Sequence, residues 1–147
     1  MVLSRPDPSA EDNPHHTTVL VVEDEILIRA AVAEYLRKSG YTVVEAADAT
    51  EAIAVFASGE PIDVVICDVD MPGTMDGLDL ARWIKQHHCT LPVLLTSGRD
   101  IAVPPAERLA PFFVSKPYRL QVLAERLKLM LASRNSAADD RPEPEPR

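Results

Sequence analysis

Five short apolar runs punctuate this chain, and the stretches between them have helical spacing. The first run, Thr18–Val22, reads TVLVV, with no polar alternation, as expected of a strand buried on both faces. YTVVE at residues 41–45, VVIC at 64–67, PVLLT at 92–96 and FFV at 112–114 are read as four more strands. Residues 25–39 place Ile28, Ala31, Val32, Tyr35 and Leu36 on one helical face, and Gly40 stands where such a helix stops. Asp48 is set to open a second helix, with Ala49, Ala52, Ile53 and Phe56 inward and Gly59 at its end. A third helix is predicted over 78–86 and a last one over 119–134, the latter with Leu120, Leu123, Leu127 and Leu131 on its inner stripe. Strands alternating with helices call for an α/β fold, a doubly wound five-stranded parallel sheet with helices on both faces and right-handed crossovers.

A chain of 147 residues suits one domain with a core of its own. Residues 1–16 hold three prolines, several acids and few large apolar groups, and residues 135–147 read NSAADDRPEPEPR. Neither end can bury enough surface to offset its ordering entropy, so both are expected as disordered tails around a domain at 17–134. The formal net charge of −8 argues against non-specific nucleic-acid binding and against docking on an anionic membrane. No segment approaches the apolar length of a membrane span or of a signal peptide, which leads to the expectation of a cytoplasmic protein. Cys67 and Cys89 lie in or beside apolar segments without a metal-ligand spacing, as reduced, partly buried thiols would.

In sheets of this kind ligands bind at the carboxyl ends of the strands. The residues there are Glu23 and Asp24 after the first run, Asp68 after the third, Ser97 after the fourth and Lys116 after the fifth. Three carboxylates on one rim repel one another unless a cation sits among them. A hard divalent ion answers that need, and Mg²⁺ suits carboxylates combined with waters and a phosphate oxygen. Lys116 adds an ammonium and Ser97 a hydroxyl donor. Together these groups form a kit for phosphoryl transfer, in which a carboxylate is the nucleophile and the cations hold charge on the transferring oxygens.

Four motifs in order, VLVVEDE (19–25), VVICDVDMPGTMDGLDL (64–80), LLTSG (94–98) and VSKPY (114–118), resemble the receiver domain of two-component response regulators. The resemblance covers about residues 17–133 and implies the flavodoxin-like receiver fold with strand order 2-1-3-4-5. It implies that Asp68 is phosphorylated, that Asp24 ligates the metal directly, and that Glu23 holds it, often through water. Asp70 matches the position whose backbone carbonyl ligates the metal. Ser97 matches the hydroxyl that bonds the phosphoryl group, and Lys116 the family's lysine, with a cis peptide to Pro117. Phe113 matches the switch aromatic, where plain core packing is the competing reading. Asp70 and Arg99 match positions that tune dephosphorylation, and an Asp70–Arg99 pair across the pocket mouth is one way to slow water's approach.

The implied function is a stand-alone receiver that takes a phosphoryl group from a histidine kinase or a histidine phosphotransfer protein. It would signal by protein contact through the fourth helix, fifth strand and fifth helix, or by passing the group on. Whether it pairs with a second copy is left open. Three departures stand out. The loop after Asp68 is one residue longer than MPGMDG, with Thr74 inserted; Phe113 replaces the commoner tyrosine; and Pro104–Pro105 make the fourth helix a stub. Two other functions compete. Asp68-Val69-Asp70 is a DxD, as in haloacid-dehalogenase-type phosphatases, although in those it usually follows the first strand and has a hydroxyl residue where Pro72 stands here. The other is an adaptor that works without phosphorylation.

Overall fold

A computed structural model describes residues 17–98 and 112–139. Their elements run β1 (Thr18–Val22), α1 (Ile26–Lys38), β2 (Thr42–Ala46), α2 (Ala49–Ala57), β3 (Val64–Asp68), α3 (Gly77–His87), β4 (Val93–Ser97), β5 (Phe112–Ser115) and α4 (Leu120–Asp139). The strands form one sheet in the order β2-β1-β3-β4-β5, and every pair is parallel. The stub helix expected at Pro104–Pro105 lies outside the described residues, as does Arg99.

Period-two alternation along the strands explains the two-sided core. Val19 and Val21 of β1, with Val64 and Ile66 of β3, face Val32, Ala33 and Leu36 of α1 and Leu123, Leu127 and Met130 of α4. Leu20 and Val22, with Val65 and Cys67, face Ala49 and Ala52 of α2 and Leu80, Ala81 and Ile84 of α3. Neither face is left to water, which is why the runs lack polar alternation.

Local chemistry sets several boundaries. The Asp48 carboxylate accepts the Glu51 amide at 2.8 Å and caps α2. Asp76 and Asp79 form a reciprocal capping box at the start of α3. Gly73, in the lengthened loop, has φ +104°, a left-handed conformation that glycine adopts without strain.

Some expectations need correction. On α1 the buried alanine is Ala33, while Ala31 is exposed, so the inner face is turned relative to the predicted one. α4 continues to Asp139, past the predicted end at Arg134 and into the stretch read as a disordered tail. Cys67 is buried but Cys89 is exposed, and both are free thiols.

Candidate functional site

Sheet register brings the site together. Beyond β1, the Glu23 amide donates to the Ala46 carbonyl at 3.0 Å, extending the β1–β2 ladder by one bond. Asp68 ends β3 opposite Thr96, and the Val69 amide donates to the Thr96 carbonyl at 2.8 Å. The Lys116 amide donates to the Ser97 carbonyl at 2.8 Å, which fixes the end of β5 against that of β4. Glu23, Asp68, Ser97 and Lys116 thus leave the sheet at, or one residue beyond, the end of their strands.

Asp68 is 3% exposed, and both of its carboxylate oxygens have donors. Oδ1 accepts the Asp70 amide at 3.1 Å, and Oδ2 accepts Lys116 Nζ at 3.1 Å. The same ammonium donates to Glu23 Oε1 at 2.8 Å, so one cation holds two buried acids. Glu23, Asp24 and Asp68 each offer an oxygen within 4.8 Å of the others. Asp24 Oδ1 is buried and has no hydrogen-bond partner among the described residues.

That unpartnered oxygen tests whether a metal fits. Burying an unsatisfied acceptor costs about 1–3 kcal/mol, more when it is charged. A cation among the three carboxylates would satisfy it, and an all-oxygen donor set selects a hard ion such as Mg²⁺. Metal-free electrostatics show the strain of the arrangement. Burial, followed by the neighbouring Asp68, pushes the Glu23 carboxyl up to about 7, although Lys116 pulls the other way. For Lys116, burial acts to lower the pKa, but hydrogen bonds and charge from Glu23 and Asp68 outweigh it and hold the ammonium above its usual range. Burial also raises the Cys67 thiol well above its ordinary value, with Asp68 adding to the effect, so this cysteine is packing rather than a nucleophile.

Ser97 is fully buried, and its hydroxyl donates to Asp70 Oδ2 at 2.9 Å. The Lys116–Pro117 peptide is cis. Phe113 is half-buried against the core on the α2–α3 side of the sheet. Glu23, Asp24, Asp68, Asp70, Ser97 and Lys116 are therefore gathered in one place, while Phe113 stands apart on the sheet's face.

Two residues were not legible beforehand as part of the site. Arg29 in α1 donates to the Glu23 carbonyl at 2.8 Å and pairs with Glu45 at 3.5 Å, anchoring the turn that carries Glu23 and Asp24. Gly77 packs directly on the end of β3: a Cβ there would overlap the Asp68 carbonyl oxygen and lie 2.6 Å from Val69 Cα. A glycine in the first turn of a helix, where it is a poor helix former, was the available signal for such a close approach.

Residues 19–128 match the response regulator receiver domain. The chain belongs to this family. Among relatives, a cyclic di-GMP phosphodiesterase of Thermotoga maritima is 36% identical over 121 residues, which are 80% of this chain and 31% of that protein. The response regulator MprA of a Mycobacterium species (strain KMS) is 32% identical over 131 residues, 85% of this chain and 54% of that protein. The chain thus spans between about a third and about half of the length of these two relatives. Among solved structures, the response regulator TrrA of Thermotoga maritima, crystallised with Mg(2+)-BeF, matches with a TM-score of 0.70 and 30% identity, covering 78% of this receiver and 98% of that chain. Among the described residues, no helix of the receiver is long and apolar enough to cross a membrane.

Proposed function

We propose that this receiver accepts a phosphoryl group on Asp68 from a phosphohistidine donor and signals through the protein contacts that the modified state favours. The observation that carries this reading is the site itself: a buried, doubly held Asp68 among three carboxylates within 4.8 Å, with Lys116 across from them and an orphaned Asp24 oxygen. An Asp68 oxygen bonds to phosphorus as the phosphorus–nitrogen bond breaks, and the donor imidazole leaves with a proton from solvent. Lys116 already touches Asp68 and places positive charge where the phosphoryl oxygens gain negative charge. Asp24, Glu23, Asp68 and the Asp70 carbonyl would hold Mg²⁺. When bound, Mg²⁺ supplies charge neutralisation for the transferring oxygens.

Phosphorylation adds a charge of about −1.5 to −2 and three acceptor oxygens beside Ser97 and Lys116. The expected readout is a change in the β4–β5 end of the molecule, where β5 and α4 present the surface for a partner or for onward transfer to a histidine phosphotransfer protein. The test is transfer from a labelled phosphohistidine donor, either a sensor kinase or a phosphotransfer protein. Label should reach the receiver in Mg²⁺, once per chain, and should not reach Asp68→Asn. Continuous release of phosphate from small esters would instead support a hydrolase built on Asp68 and Asp70.

A further inference from the structure

Asp70 touches both halves of the site. Its amide donates to Asp68 Oδ1 at 3.1 Å, and its carboxylate accepts the Ser97 hydroxyl at 2.9 Å. A serine hydroxyl carries one proton, so Ser97 cannot give it to Asp70 and to a phosphoryl oxygen on Asp68 at the same time. The Ser97 backbone is fixed by its place in β4 and by the bond from the Lys116 amide to its carbonyl at 2.8 Å. A fully buried hydroxyl on a pinned backbone changes acceptor by leaving one and meeting the other.

The geometry points to Asp70 as a latch: in the unphosphorylated receiver its carboxylate holds the Ser97 hydroxyl, and the phosphoryl group must compete for that proton to switch the site. This rests on the reading of Asp68 as the phosphoacceptor. A hydrogen bond to an ionised acceptor is about twice as strong as a neutral one, so an aspartate here sets a higher threshold than an asparagine, and an asparagine a higher one than an alanine. Asp70 is then a positioning residue, acting through Ser97. A ligand that favours the released state binds more tightly when the latch is weakened.

Beryllium fluoride at saturating Mg²⁺ is the probe, with calorimetry of the full chain as the readout. Removing Asp70 also removes a negative charge near the bound anion, and a double-mutant cycle separates the two effects. The four proteins are the parent, Asp70→Ala, Ser97→Ala and the double variant, with Asp70→Asn as a graded arm and Mg²⁺ affinity measured for each. Asp70→Ala should tighten beryllium fluoride binding about tenfold when Ser97 is present. Asp70→Asn should fall between, and most of the gain should vanish in the Ser97→Ala background. An equal gain in both backgrounds, or no gain with Ser97 present, overturns the latch alone. Failure of the parent to bind the probe overturns the phosphoacceptor reading, and the latch with it.

Discussion

Lys116 holds two buried carboxylates with one ammonium, and its removal separates stability from function. Replacing Lys116 with Met leaves Glu23 and Asp68 without their cation, which should destabilise the metal-free protein by about 2–3 kcal/mol, limited because Glu23 can take a proton. Mg²⁺ should then bind more tightly than in the parent, since a competing positive charge is gone. Urea unfolding with and without Mg²⁺ reads both effects, and weaker Mg²⁺ binding in Lys116→Met would contradict the arrangement. Glu23 gives a second check on metal-free protein. A carboxyl held at about 7 in the fold, against an ordinary 4.5, binds more protons folded than unfolded between those values. Its contribution to stability is therefore complete below pH 4.5 and is lost as pH rises through about 7. In chelator, Glu23→Gln should flatten the fall in stability across that window, and an unchanged slope would refute the assignment. Asp68 and Glu23 were legible because each directly follows an apolar run, and Asp24 because it stands next to Glu23. The Asp70–Ser97 bond was not, because it crosses from the loop after β3 to the end of β4 and exists only through their adjacency in the sheet.

The elements that hold the site are most exacting where β3 meets α3. Gly77 lies against the backbone of Asp68 and donates its amide to the Val69 carbonyl at 3.0 Å, closing the lengthened loop onto the strand end. Gly77→Ala forces a backbone shift, which should cost about 1–3 kcal/mol and slow phosphorylation of Asp68 more than it weakens the fold. Denaturant unfolding beside the rate of phosphorylation measures the two, and a variant with parental rate and stability would show that the contact is slack. The strands were readable from their runs, yet β3 and β4 each extend one residue beyond the apolar stretch, to Asp68 and Ser97. A last ladder bond depends on the partner strand, which local sequence does not specify. The end of α4 escaped for a different reason. After Arg134 the sequence NSAAD offers no proline or glycine to stop a helix, and the tail's prolines begin only at Pro142.

At the scale of the whole molecule, the parallel order β2-β1-β3-β4-β5 places β1 beside β3, and β3 beside β4, so carboxylates from two neighbouring strands meet a hydroxyl and an ammonium from the next two. The fold class followed from alternation alone, whereas the strand order came from the receiver resemblance, since local periodicity carries no information about which strands are neighbours. Two well-packed faces support the strand ends, and backbone bonds at Glu23, Val69 and Lys116 tie the residues there to the neighbouring strands. We propose that this end of the sheet makes Asp68 a phosphoacceptor. Intact-protein and peptide mass spectrometry after incubation with a small phosphodonor such as acetyl phosphate tests it most directly. In Mg²⁺ the chain should gain one phosphoryl group, located on Asp68, and chelator or Asp68→Asn should abolish the gain. No gain in the parent, or a gain that survives Asp68→Asn, would contradict the account.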